Sequence, residues 1–229
     1  MVACPTAAGP PPRNGPRLLV CAFGPFPGVP VNPSRQAALD LLRRRRPALA
    51  GADIRLEILP TRWDALERLD AVLERLKPDA VLLLGVAARR REVCVETVAV
   101  NAARAFPDAA RRHAPARLLA RGGPHRRATT AAAGQLVQAL RNAGIACRPS
   151  RDAGRYLCNA SYFHALAWAA RQAWAPPVVF VHLPRRSGRP RGVGRVGMAL
   201  GLSALLARLA ARARAPRRRP ATPASSPTA

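Results

Sequence analysis

Residues 54–86 read IRLEILPTRWDALERLDAVLERLKPDAVLLLGV, and the hydrophobic period changes twice within them. Residues 54–59 form a short apolar-rich run closed by Pro60. Over 63–76, Leu66, Leu69, Val72, Leu73 and Leu76 recur at the three- and four-residue spacing of one helical face. Lys77-Pro78-Asp79 then stops the helix, because the residue before a proline is driven out of the α region. Residues 80–86, AVLLLGV, are apolar at every position, as a strand covered on both faces requires. Strand, helix and buried strand make a βαβ unit, which predicts an α/β fold with a parallel sheet at its centre.

The same grammar extends in both directions. Residues 18–23, LLVCAF, are a second fully apolar run, ended by Gly24-Pro25. Asn32 can cap a helix whose first position is Pro33, where a missing N–H costs nothing. Residues 92–100, EVCVETVAV, alternate partly and read as a further strand or an extended loop. Residues 102–128 carry no period and read as a long surface excursion. A helix over 130–142 stopped by Gly144, a short strand at 145–148, a helix from about 158 to 173, a strand at 178–182 and a closing helix over 196–212 complete the pattern. Residues 1–16 and 214–229 are expected to be a disordered arm and a disordered basic tail.

The chain has 229 residues, the size of one domain. A hydrophobic share of 49% excludes a wholly disordered chain, and no apolar run approaches the roughly 20 residues that span a bilayer. The net charge of +26 is unusual, and Lys77 is the only lysine among 38 basic residues. Such a field is compatible with nonspecific binding of anions or nucleic acid. The arginines are scattered, however, and 4% aromatic residues leave few platforms for stacking bases. Arginine without lysine, beside abundant alanine and proline, is also what a GC-rich genome writes on any surface.

Five cysteines form no CxxC pair and no even framework, which argues against a zinc knuckle or a secreted disulfide scaffold and fits a reducing cytoplasm. The N-terminus lacks an apolar signal core, and Leu18 to Cys21 lacks the small residue a lipobox needs before its cysteine, so neither export nor a membrane is expected. His113, His125 and His164 lie apart without partners at ligand spacing, so no metal and no cofactor are expected.

Cys158 follows a glycine-containing turn and opens a predicted helix. There the macrodipole and the free N–H groups favour a thiolate and offer donors to an oxyanion. Taken alone, a cysteine in that position is more often a small buried hydrophobe. His182 closes the next apolar run and should emerge at the carboxyl end of a neighbouring strand, the edge where open sheets bind ligands. An imidazole there can take the thiol proton and later protonate a leaving amine. A carboxylate is needed to orient the ring, and Glu96 is the available candidate, although its spacing alone reads as a solvated strand acid.

Six segments then carry a resemblance. They are Phe23-Gly24-Pro25-Phe26 with Asn32-Pro33-Ser34; Leu59-Pro60-Thr61; Lys77-Pro78-Asp79 with the LLLGVA strand; Glu96-Thr97-Val98-Ala99-Val100-Asn101; Ala153-Gly154-Arg155-Tyr156-Leu157-Cys158-Asn159; and Phe180-Val181-His182-Leu183-Pro184. In this order, from about residue 17 to residue 212, they resemble the pyroglutamyl peptidase I (pyrrolidone-carboxylate peptidase) family. The resemblance implies a three-layer α/β/α sandwich with a mostly parallel, mixed sheet over 17–213. It implies a cysteine peptidase that removes N-terminal pyroglutamate from peptides, with Cys158 as nucleophile, His182 as base and then acid, and Glu96 holding the imidazole.

Phe23 and Phe26 carry over as contacts to the flat lactam ring, with Arg104 and Leu157 as further substrate contacts. A homo-oligomer is implied, since members often form tetramers. The sequence departs from the family at Ala88 and Arg89, which replace two glycines of a loop beside the pocket, at Arg155, which replaces a threonine, and after Asp108, where the DNxGNQP stretch is missing. These departures leave two rival readings: a diverged member that acts as a binding protein, and a basic nucleic-acid-binding protein on the same scaffold.

Overall fold

A computed structural model of the chain describes residues 15–26, 29–44, 46–185 and 194–214. In chain order the elements are β1 (Arg17–Phe23), α1 (Pro33–Arg43), a single 3-10 turn (Pro47–Leu49), β2 (Asp53–Leu59), α2 (Ala65–Leu76), β3 (Ala80–Ala87), β4 (Val93–Glu96), β5 (Val98–Val100), β6 (Arg126–Ala128), α3 (Ala133–Asn142), β7 (Cys147–Ser150), α4 (Leu157–Ala170), β8 (Val178–Pro184) and α5 (Arg195–Arg214). Apart from 15–16 and Arg214, the arm and tail expected at 1–16 and 214–229 lie outside the described residues.

Six strands share one sheet in the order β2-β1-β3-β8-β4-β7. The βαβ unit read from 54–86 straddles β1: Leu18 lies opposite Ile54 on one side and Ala80 on the other, all three strands parallel. That central position is why LLVCAF is apolar throughout, and Leu18 to Ala22 are fully buried. Side chains alternate between two layers. Leu18, Val20, Leu82, Leu84, Val179 and Val181 pack under Leu41 of α1, Leu136 and Leu140 of α3, and Leu202, Leu205, Leu206 and Leu209 of α5. Leu19, Cys21, Val81, Leu83 and Phe180 pack under Leu69, Val72 and Leu73 of α2 and Phe163, Leu166 and Trp168 of α4. The architecture is therefore the expected three-layer sandwich. Helix α5 is long and apolar enough to cross a bilayer on length and composition, yet those four leucines are at most 1% exposed in the core.

The sheet is mixed because β4 runs antiparallel to β8 and carries β7 with it in parallel. The segment 92–100 is two strands rather than one. Beyond Glu96 the chain leaves the main sheet at Thr97, whose N–H and hydroxyl both donate to the Ser150 carbonyl (2.7 and 2.9 Å). It continues as β5, paired antiparallel with β6 at the end of the excursion. The excursion is held by polar side chains, which leave no hydrophobic period to read. The buried Asp108 carboxylate accepts from the N–H groups of Trp63, Ala110 and Arg112 (2.8–3.0 Å), and Asn101 exchanges two hydrogen bonds with the Ala120 backbone (both 2.8 Å). Helix α3 begins at Ala133 instead of 130, because the hydroxyls of Thr129 and Thr130 donate to the carbonyls of Val178 and Pro176 (2.7 and 3.0 Å) and keep that stretch against β8.

Asn32 caps α1 as its sequence position suggests, and it does more. Its Oδ1 accepts from the Ser34 N–H (3.0 Å) and hydroxyl (2.8 Å), while Nδ2 donates to the Gly24 carbonyl (2.8 Å), fastening the end of β1 to the start of α1. Asn32→Ala removes the cap and one of the two hydrogen bonds on the buried Gly24 carbonyl, which keeps only that of the Thr61 hydroxyl (3.1 Å). The expected loss is about 2 kcal/mol, read as a thermal midpoint about 4–8 °C lower for a chain of this length.

Candidate active site

On β8 the period-2 alternation places Phe180 and His182 on the α2/α4 face of the sheet. In the antiparallel neighbour β4, Cys94 lies opposite His182 and Glu96 opposite Phe180, so Glu96 sits diagonally across from His182 on that face. The diagonal brings Glu96 Oε1 to 2.7 Å from His182 Nδ1. A slip of one residue would turn the carboxylate to the opposite face. Glu96 is therefore not the solvated acid its spacing suggests: its side chain is 0% exposed and that of His182 6%.

The other flank of His182 is Gly85 of β3. A Cβ built there would lie 2.6 and 2.8 Å from Phe180 ring atoms and 3.0 Å from Cys158 Sγ. The missing side chain is the space the thiol occupies. Cys158 reaches it from the first turn of α4, a helix buried nearly all round and lacking an amphipathic face. Its cap residue, Tyr156, is extended (φ −121°, ψ −162°) and offers no side-chain hydrogen bond. The first intrahelical bond joins the Ala160 N–H to the Tyr156 carbonyl (2.9 Å), which leaves the N–H groups of Leu157, Cys158 and Asn159 without helical partners.

Burial on its own pushes His182 toward the neutral form. Hydrogen bonds to the Cys158 thiol and the Glu96 carboxylate, with the charges of both, outweigh it and raise the imidazole pKa to about 9. Of the four described cysteines, all free, Cys21, Cys94 and Cys147 are buried and Cys158 is half-buried. Burial drives the Cys21 and Cys147 thiols upward.

Two features of the site are absent from the sequence reading. Arg90, in the turn between β3 and β4, donates to Glu96 Oε1 (2.6 Å), to Ser150 Oγ (3.1 Å) and to the Asp152 carbonyl. In a chain so rich in arginine nothing marks one of them as internal. Asn159, directly after Cys158, uses its amide as a strand edge, accepting from the Val100 N–H (2.8 Å) and donating to the carbonyls of Val100 (2.8 Å) and Ala102 (3.0 Å). A polar residue inside an apolar helix was the signal for it.

The residues expected to touch substrate are placed as follows. Phe23 is buried at the end of β1, and Phe26 is half-buried in the following loop, where it exchanges backbone hydrogen bonds with Val29. Leu157 is buried in the core beneath α4. Arg104 is exposed, and its N–H binds the carbonyl of Arg155, itself exposed (2.7 Å). Ala88 and Arg89 are exposed in the β3–β4 turn. Tyr156 stands edge-to-face between Trp63 and Phe106 (ring centroids 5.4 and 5.7 Å) and donates to the Pro107 carbonyl (3.1 Å). A cavity of about 580 Å³ lined by Asp40, Arg43, Arg44, Arg195 and Val196 belongs to α1 and α5 and includes none of these residues.

Fold and site define an α/β sandwich with a cysteine, a histidine and a buried glutamate on one face of its sheet. A family model described as pyroglutamyl peptidase matches residues 16–189. The chain is 34% identical over 172 residues to pyrrolidone-carboxylate peptidase 1 of Ralstonia nicotianae (74% of this chain, 78% of the relative). It is 32% identical over 186 residues to the pyrrolidone-carboxylate peptidase of Thermococcus kodakarensis (80% and 88%). Among solved structures, pyroglutamyl peptidase I of Bacillus amyloliquefaciens superposes with a TM-score of 0.75 at 25% identity, covering 86% of this chain and 97% of that one. A mutant pyrrolidone carboxyl peptidase from the hyperthermophile Pyrococcus furiosus gives 0.76 at 25% identity, covering 86% and 98%. The chain belongs to the pyroglutamyl peptidase family.

Iodoacetamide added to the folded protein is expected to alkylate Cys158 and spare Cys21, Cys94 and Cys147, which peptide mass mapping reads. Gly85→Ala should slow that alkylation by displacing the thiol, at a cost in stability of about 1–3 kcal/mol from overpacking.

Proposed function

We infer that this chain is a cysteine peptidase that hydrolyses the bond between an N-terminal pyroglutamyl residue and the rest of a peptide, with Cys158, His182 and Glu96 as its machinery. The observation that supports the assignment of roles is their convergence: His182 and Glu96, 86 residues apart, share a 2.7 Å hydrogen bond, and Cys158 Sγ lies in the space left by Gly85, the residue opposite His182 on β3. Cys158 Sγ attacks the pyroglutamyl carbonyl carbon, and the free N–H groups of the first turn of α4 receive the oxyanion. His182, holding the thiol's proton, passes it to the departing amine as the C–N bond breaks. Water then attacks the thioester, giving its proton to His182, and pyroglutamate leaves as Sγ is released. Glu96 fixes the proton-bearing tautomer with Nδ1 toward itself and Nε2 toward the chemistry, and stabilises the imidazolium.

Phe23, Phe26, Arg104 and Leu157 are proposed as contacts to the substrate. Phe26, half-buried in the loop after β1, can offer a ring face to the lactam; the buried side chain of Leu157 leaves its backbone N–H as its contribution. The four free thiols support a reducing compartment, the cytoplasm. The rival readings as a binding protein or a nucleic-acid-binding protein draw on no observation at this site.

The test is release of the chromophore from a pyroglutamyl chromogenic amide, with and without prior iodoacetamide. Cys158→Ser and His182→Ala should each lose about 10⁵-fold or more in kcat, while Glu96→Gln loses less, about 10²–10⁴-fold, with KM nearly unchanged. Full activity in Cys158→Ser overturns the reading. Because the imidazole pKa is raised to about 9, activity should fall as pH rises through that value and the proton for the leaving amine is lost. The sign for stability is the same: the contribution of this proton is complete below the ordinary histidine value of 6.5 and disappears as pH rises through about 9.

A further inference from the structure

Glu96 is a carboxylate with no exposed surface, and taking such a group out of water costs several kcal/mol unless partners compensate. Two donors reach it, and both converge on one oxygen: His182 Nδ1 at 2.7 Å and Arg90 Nη1 at 2.6 Å from Oε1. Oε2 has no partner among the described residues. The other titratable groups around the pair add no positive charge. Cys94 lies beside His182 on β4, Cys158 faces it from α4, and the Tyr162 hydroxyl of α4 donates to the Glu96 main-chain carbonyl at 2.9 Å rather than to its carboxylate. From β7 only the Ser150 hydroxyl approaches, and Glu92 at the head of β4 is taken up by Arg148 (2.8 Å). Arg90 is thus the one permanent cation on Glu96 among the described residues.

His182 is a cation only while it holds the proton. In the reading above it gives that proton to the leaving amine, and at that moment a buried carboxylate with no other cation would face a neutral ring. We propose that Arg90 is a positioning residue for this hydrolysis, holding Glu96 ionised and aimed at Nδ1 while His182 gives and takes its proton, and tying that carboxylate to the segment that presents Cys158. The tie is visible in the remaining donors. Nη1 also reaches Ser150 Oγ and Nη2 the Asp152 carbonyl, at the start of the loop 151–156 that runs into α4. A planar fork serves these acceptors together, and a lysine ammonium, a point charge, would not.

The proposal rests on the peptidase reading and has its own signature. Removing a cation beside the cluster of Cys158, His182 and Glu96 raises the proton affinity of all three, so both limbs of the pH profile move to higher pH. At an effective protein dielectric of about 20 one charge is worth about three pH units at about 4 Å and falls off with distance. The thiol, which meets Arg90 only across His182 and Glu96, should therefore move by about one unit or more. The test compares the parent with Arg90→Gln and Arg90→Lys in the full chain, by the pH dependence of Cys158 alkylation with iodoacetamide and by kcat and KM on a pyroglutamyl amide. Arg90→Gln should move the alkylation midpoint up by about one unit and lower kcat at neutral pH about 10–100-fold with little change in KM. Arg90→Lys should return the midpoint and recover part of kcat.

An Arg90→Gln profile that superimposes on the parent, whatever kcat does, reduces Arg90 to a structural brace and overturns the proposal. If Arg90→Gln does not fold, the double variant Glu96→Gln/Arg90→Gln, which buries no uncompensated charge, is set against Glu96→Gln alone. Equal kcat supports positioning through Glu96, and a further loss of kcat in the double variant overturns it. Alkylation needs no substrate, so its outcome is separable from failure of the peptidase reading, which would show as a parent protein unable to cleave the amide.

Discussion

A single hydrogen bond, 2.7 Å from His182 Nδ1 to Glu96 Oε1, is made across the one antiparallel junction of the main sheet. Much of the architecture follows from it. The register of that junction sets Cys94 opposite His182 and so puts Glu96 on the diagonal to it, on the same face. After Glu96 the chain leaves the main sheet, pairs as β5 with the far end of the excursion, and presents Val100 and Ala102 to the side chain of Asn159. Asn159, the residue after Cys158, is thereby fastened to the strand that follows Glu96, which ties the two halves of the site together.

Several local rules of stable folding are broken here, and all within one face of the sheet. Helix α4 starts without a side-chain cap, Gly85 interrupts a strand that is otherwise branched and apolar, and an ionised pair sits where the core would accept hydrocarbon. Each choice costs stability, on the order of 1 kcal/mol for a missing cap or a strand glycine. Each also yields something the proposed hydrolysis would use: open N–H groups, room for a sulfur atom, and a proton held on an imidazole whose pKa is raised to about 9. Such concentrated violations are what a functional site looks like when the surrounding core can carry the loss.

The large positive charge has a different standing inside and outside. On the surface, arginines pair with the few acids, as Arg62 with Asp64 and Arg171 with Glu74, in exposed contacts worth less than about 1 kcal/mol each and screened by salt. Arg195, on Asp40, fastens α5 to α1 in the same way. Among the described arginines Arg90 meets the buried glutamate, where screening is weak.

Periodicity settled what each segment is. The strand LLVCAF, the βαβ unit of 54–86, the capped start of α1 at Asn32, and the placing of Cys158 at a helix start and His182 on a strand all depend on local pattern, and a chain carries local pattern with it. What lay beyond the sequence depends on which strand lies beside which. An acid at alternate positions of a strand looks the same whether water or β8 faces it, and the pairing and register of β4 against β8 decide that Glu96 is buried against His182. The excursion over 102–128 is organised by Asn101, Asp108 and Asn159, whose amide and carboxylate bonds to distant backbone have no period to read. Register, strand order and the burial of one charge are properties of contacts between segments far apart in the chain, and only the folded structure brings those segments together.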